Sequence, residues 1–151
     1  MSVELVASSP AHIGTIAARM RAVDVLEAAA MGHSPKEALR LGLRGSTHCY
    51  TAKVDGRAEA MFGLVVKSAL GGEGTPWMLG TEAVYRRPRA FLRCAPGMLN
   101  LFFDSTPRLS NLVAVENDRA IRMLRRLGFQ LGEEVILVSG VRFLPFSMER
   151  R

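Results

Sequence analysis

Cysteine is scarce in this chain. Only Cys49 and Cys94 occur, far apart and without metal-ligand spacing, which excludes a disulfide-rich secreted scaffold and predicts free thiols in a reducing compartment. His12, His33 and His48 share no ligand spacing with each other or with the cysteines, so no metal site is expected. No apolar run approaches the roughly 20 residues that a bilayer-crossing helix needs. The opening MSVELVASSP has an acidic residue and no basic lead, which argues against a secretory signal peptide. Charged residues make up only 23% of the chain against an apolar fraction of 48%, a balance that excludes a disordered polymer. The net charge of +6, carried mostly by arginine, favours phosphates, nucleic acid or an acidic protein surface as partners. At 151 residues a single domain spanning 1–151 is expected.

Taken in order, Val3–Ala7 predicts a strand closed by Ser8-Ser9-Pro10, with Ser9-Pro10 a helix-start signal. An alanine-rich helical stretch follows from about Pro10 to Met31, whole or broken in two, and Gly32 ends it. Ser34-Pro35-Lys36-Glu37 is a capping box opening a helix that should run to about Leu43 and stop before Gly45. Asp55-Gly56 predicts a type I′ hairpin across residues 47–66. Its inward face is His48, Tyr50, Ala52 and Val54, then Ala58, Ala60, Phe62, Leu64 and Val66. Arg57, Glu59 and Met61 alternate with them, and Gly63 suggests a bulge. The glycine-rich stretch Gly71–Gly74 lacks a lysine–hydroxyl pair and leads into no helix, so it reads as a connector and not as a phosphate loop. Trp77–Thr81 predicts the central strand. A helical segment with Arg86, Arg87, Arg89 and Arg93 follows over Tyr85–Arg93, Pro96 opens a second segment, and Pro107 closes it. Val135–Val138 and Val141–Met148 predict strands joined by a tight turn at Ser139-Gly140, with Pro145 placing the last strand at an edge or bulge.

The most informative stretch is Asn111–Phe129. Asn111–Val115 is short, apolar and β-prone, as a strand covered on both faces should be. Asn117 and Asp118 then supply an N-cap and a dipole-matched first turn. Ala120, Met123, Leu124 and Leu127 share one helical face, and Arg119, Arg122, Arg125 and Arg126 the opposite one. Gly128 is placed to end the helix in the left-handed conformation, returning Phe129 to the apolar side.

That stretch, with Asn117, Ala120, Met123, Leu127, Gly128 and Phe129, resembles the late strand–helix segment of the GNAT superfamily of N-acetyltransferases. The resemblance implies an α/β fold, a central mixed sheet of six to seven strands flanked by helices, and the strand–helix order read along the chain agrees. It also implies acetyl-CoA as the acyl donor. The superfamily's pyrophosphate turn, Q/R-x-x-G-x-G/A at a helix N-terminus, corresponds here to Tyr85-Arg86-Arg87-Pro88-Arg89-Ala90. This turn has no glycine, and Pro88 removes an N–H donor. Arg86, Arg87 and Arg89 are the candidate phosphate contacts, with Asn117 also assigned to cofactor binding. The tyrosine that the superfamily uses as an acid is replaced by Leu124, leaving Tyr85 as the candidate proton donor. Glu82, at the end of the central strand, is the first candidate base and Glu116 the second.

The chain is also similar to a narrower group, the small GNAT-like proteins of tailed bacteriophages, including internal virion proteins of T7-like podoviruses. The matching stretches are Asp24–Gly32, Trp77–Thr81 and Pro107–Phe129. This implies a virion-associated or virion-assembly component with a degenerate acetyltransferase site, partnered by other virion proteins or by itself, in the virion or the host cytoplasm, and without a cofactor. The competing expectation is an acetyl-CoA-dependent N-acetyltransferase with an altered cofactor loop. A third, nucleic-acid binding through the arginine face of residues 119–126, has no reader motif behind it.

Overall fold

The computed structural model describes residues 2–68 and 70–151. The chain begins with strand β1 (Val3–Ala7), a single 3-10 turn (Pro10–His12) and three helices, α1 (Ile13–Ala18), α2 (Ala22–Ala30) and α3 (Pro35–Gly45). An antiparallel run follows: β2 (His48–Val54), β3 (Arg57–Ser68) and β4 (Glu73–Gly80). Then come α4 (Ala83–Arg86), α5 (Pro88–Ser105), β5 (Arg108–Ala114), α6 (Asp118–Leu127), and the short β6 (Gln130–Leu131), β7 (Ile136–Val138) and β8 (Val141–Glu149). All the strands join one eight-stranded sheet in the order β1-β2-β3-β4-β5-β8-β6, with β7 also on β8. Among the described residues no helix is long and apolar enough to cross a membrane.

Local chemistry sets most boundaries. Asp55 and Gly56 both take positive φ, 50° and 84°, as a type I′ turn requires. Ser34 Oγ accepts the Glu37 N–H and starts α3. Asn117 Oδ1 accepts the Ala120 N–H at the head of α6. At its tail Gly128, with φ 103°, lets its own N–H reach Arg125 O and the Phe129 N–H reach Leu124 O, which satisfies carbonyls that the helix end leaves free.

The sheet carries apolar side chains on both faces. Ala60, Phe62, Leu64, Val113 and Phe146 pack with Phe91, Phe102, Ile121 and Met123 of α5 and α6. On the opposite face Ala58 and Met61 pack with Ile13, Ile16 and Leu39 of α1 and α3. β3 is therefore buried on both sides, where the hairpin pattern predicts one. Met61 is wholly buried, and Glu59, 3% exposed, is neutralised by Arg19 and Arg57.

Other expectations also change. Pro96 lies inside α5 and opens no second segment. A proline within a helix costs about 3 kcal/mol, whereas burying Phe91 and Phe102 together returns roughly 3–6 kcal/mol, so the helix runs on. Gly63 pairs regularly with Cys49 and Trp77. It is glycine because a Cβ there would stand 2.5 Å from His48 O, and the bulges lie elsewhere, between Ala52 and Lys53 and between Val65 and Ser68. Gly74 belongs to β4, α3 extends through Gly45, and β6 is an extra strand. β8 is interior, between β5 and the β6/β7 pair. Pro145 is tolerated there because β6 pairs as far as Phe146 and β7 only from Phe143.

Candidate active site

β4 and β5 are parallel neighbours, but they pair only at Glu73–Arg108 and Gly74–Leu109. Beyond that point they separate, and backbone groups that a continuous sheet would satisfy are left facing a gap. Such groups need partners, and side chains supply several. Asn111 spans the opening: its Nδ2 donates to Pro76 O at 2.8 Å and its Oδ1 accepts the Leu112 N–H at 2.7 Å. At the far end, Asp24 Oδ2 accepts the Gly80 N–H at 2.9 Å, and Glu27 Oε2 accepts the Ala114 N–H at 2.7 Å. Helix α2 thus lays one carboxylate on the end of each parted strand. Met78 has the same strand parity as Pro76 and Gly80, so its N–H and C=O also point into the gap.

Arg21 joins these parts. Its N–H donates to Gly80 O at 2.9 Å. Its guanidinium donates to Asp24 Oδ1 and to Asn117 Oδ1, both at 3.1 Å. Nε lies 3.4 Å from Glu82 Oε1, and the guanidinium carbon lies 4.2 Å from the centre of the Tyr85 ring, a cation–π contact. Arg21 is 6% exposed and Asp24 4%, so the ion pair is desolvated. Burial pushes the Asp24 carboxyl up from 3.8 to about 7, against the pull of the Gly80 N–H and of Arg21. Burial raises Glu27 as well. It also raises the Tyr85 phenol, and the negative charge of Asp24 adds to that shift.

A cavity of about 710 Å³ occupies the gap. Trp77 and Leu79 line it from the α1–α3 side of the sheet, and Phe62 and Met78 from the α5–α6 side. Asp24, Glu27, Tyr85 and Asn117 are among its polar lining. A neighbouring cleft of about 470 Å³ is lined by Arg21, Glu82, Arg86, Glu116, Asp118 and Arg119.

Of the residues singled out from sequence, Tyr85 and Asn117 line the cavity, Glu82, Arg86 and Glu116 line the cleft, and Arg87 and Arg89 line neither. Asn117 is 3% exposed and is engaged by Arg21, Glu27 and the Ala120 N–H. Leu124 presents an apolar side chain to the cavity. Glu82 lies in the cleft, bound to Arg21 and, at 2.9 Å, to Arg119. Arg87 caps α5 and Pro88 is its first residue; Arg86 and Arg89 are exposed beside it. With Pro88 lacking an N–H and the Phe91 N–H bonded to Arg87 O, the free donors of this first turn are Arg89 and Ala90. Sequence reasoning missed Arg21, Asp24 and Glu27. Their signal was present as charges three residues apart on an otherwise apolar helix, which places them on adjacent turns. Among the described residues no group of three or more His, Cys, Asp or Glu side chains could hold a metal ion.

No protein-family model matches the chain, and no curated protein matches its sequence. Solved structures do match its shape. Ard1 from Thermoplasma volcanium superposes with a TM-score of 0.73 at 14% identity, over 100% of this chain and 99% of that one. A GNAT-family acetyltransferase from Bacillus anthracis gives 0.71 at 8% identity, over 99% and 95%. An aminoglycoside acetyltransferase in complex with coenzyme A gives 0.68 at 16% identity, over 99% and 95%. At such identities the likeness speaks to architecture alone: this chain has the fold of the GNAT N-acetyltransferases.

Proposed function

We propose that the protein is an acetyl-CoA-dependent N-acyltransferase with an altered phosphate turn. The observation that carries this reading is the separation of β4 from β5 into an open cavity, edged by unpaired backbone at Met78 and adjoining the arginine-rich start of α5. The residues present fit the coenzyme. Met78 N–H and C=O suit an amide-bearing chain lying along β4. The Arg89 and Ala90 N–H groups, the positive end of α5 and the Arg86, Arg87 and Arg89 side chains suit its phosphates. When bound, acetyl-CoA supplies an activated thioester carbonyl.

The chain's own groups then divide the remaining work. Asp24, held near neutral pH by burial, is suited to take a proton from an amine, directly or through a water. Glu82 keeps its candidacy from the cleft side, where it pairs with Arg21 and Arg119. The Tyr85 hydroxyl, kept protonated by burial, acts as a hydrogen-bond donor more readily than as an acid. The apolar walls, Leu124 included, exclude water from the acyl group. A role inside a phage particle, which the narrower sequence resemblance implies, draws on no feature of this site; mass spectrometry of purified particles is its direct test.

Calorimetric titration with acetyl-CoA tests the transferase reading. Binding tighter than millimolar is expected, with Arg87→Ala weakening it about tenfold, the order of one charge-assisted phosphate contact. Millimolar or absent binding, unchanged by Arg87→Ala, overturns it.

A further inference from the structure

The acyl acceptor can be narrowed from the other side of the cavity. Asp24, Glu27, Ala28 and Met31 all line it, and their spacing of i, i+3, i+4 and i+7 puts them on one stripe of the chain segment formed by α2 and its C-cap. The stripe changes character along its length, from two carboxylates to a methyl group to a thioether. Opposite it, α3 contributes Ala38, Leu41 and Gly42, and Trp77 closes the wall. The Trp77 ring lies so close to Gly42 that a Cβ there would stand 2.4 Å from it, and its Nε1 donates to Ser46 Oγ at 2.8 Å. The indole is therefore fixed as a flat apolar wall. Met31 and Leu41 are each 46% exposed and form an apolar rim on the outer surface.

Charge is distributed to match. Asp24 is the deepest ionisable group in the lining. Arg21, which offsets it, lines the neighbouring cleft and not this cavity. Lys67, exposed, and His33, half-buried, are the basic lining residues. A guest with a positive head and an apolar tail satisfies both ends of the α2 stripe, whereas a polyamine would leave a second ammonium at the apolar rim of Leu41 and Met31. From Asp24 to Met31 the stripe rises about 10 Å, taking ~1.5 Å per residue over seven residues. That is the reach of a medium-length alkyl chain.

We propose that the cavity binds a primary amine with an unbranched apolar tail, its ammonium at Asp24 and Glu27 and its tail along Ala28, Trp77, Leu41 and Met31. Resting on the transferase reading, this amine is the acyl acceptor.

Trp77, the one tryptophan in the chain, reports binding by its fluorescence without any coenzyme. A ladder of n-alkylamines from ethylamine to octylamine is titrated, with octanol and octanoate as controls of equal tail and different charge. The dissociation constant is expected to fall about three- to fourfold per methylene, from the transfer free energy of each CH₂. Octanol and octanoate should bind at least about tenfold more weakly than octylamine, for want of a charge-assisted hydrogen bond. Leu41→Gln, on the exposed rim, should weaken octylamine and leave ethylamine unchanged. Asp24→Asn should weaken every amine, and Glu27→Gln serves if that variant does not fold. A flat ladder, or octanoate binding as well as octylamine, overturns the inference whether or not acetyl-CoA binds. So does coenzyme release that varies with the length of the donor's acyl chain and not with that of the amine. Absence of acetyl-CoA binding beside a steep ladder strikes the transferase reading instead and leaves the amine site standing.

Discussion

Replacing Asp24 by asparagine separates the cost of a buried charge from the value of the hydrogen bonds around it. Burial moves this carboxyl from 3.8 to about 7 in the folded protein, so between those values the folded state holds a proton that the unfolded chain has released. Bound protons favour the folded state as pH falls, so the contribution of Asp24 to stability is greatest near pH 4, declines as pH rises towards 7, and is flat above that. The shift is about 3 pH units; at about 1.4 kcal/mol per unit this amounts to roughly 4 kcal/mol. Asparagine keeps an acceptor for the Gly80 N–H and abolishes the titration. Its constant offset has two opposed parts: relief of a desolvated carboxylate, and loss of a partner for Arg21, which retains Glu82 at 3.4 Å. The slope is independent of that offset. Thermal unfolding of both proteins at intervals from pH 4 to pH 8 should show the wild-type midpoint falling relative to the variant by about 10 °C, the order expected for a chain of this size. Glu27, also raised by burial, repels Asp24, so the difference between the curves carries that coupling along with the Asp24 titration. Parallel curves would refute the reasoning, because they would mean that Arg21 and the Gly80 N–H fully compensate the burial of Asp24.

Arg21→Ala leaves Asp24 and Glu27 without their buried counter-charge and should cost about 3–5 kcal/mol, read as a lower urea midpoint; a change under about 1 kcal/mol would deny its place at the hub. Gly63→Ala drives a Cβ to 2.5 Å from His48 O, where backbone must yield, and should cost about 1–3 kcal/mol in the same assay. Phe143→Ala empties a side chain that is 1% exposed and should cost about 3–5 kcal/mol, read again as a lower urea midpoint.

What could be read from the sequence was what neighbouring residues decide. The Asp55-Gly56 turn, the Ser34 and Asn117 caps and the Gly128 stop are each fixed within a few positions, and they fall where the pattern places them. Leu124 and Pro88 could likewise be seen as departures from a known motif. What was missed depends on residues distant in sequence. Pro96 reads as a breaker until the aromatic contacts of α5 with the sheet are known. Glu59 reads as outward-facing until Arg19, forty positions away, is packed against it. The two residues of β6 hold no period at all. The site suffered most from this distance. Glu82 suggests a strand-end base in sequence, while Asp24 and Glu27 are brought to the parted strands by α2, and only that juxtaposition with Gly80 and Ala114 gives them their environment.

The central claim is that the gap between β4 and β5 is a coenzyme site. Backbone amide chemical shifts recorded during titration with acetyl-CoA test it most directly, since the free donors named for the coenzyme are the N–H groups of Met78, Arg89 and Ala90. These three should move together and saturate at one dissociation constant, with Arg125 and Arg126 on the outer face of α6 unmoved. Shifts confined to the α6 arginines, or none at Met78, would contradict it.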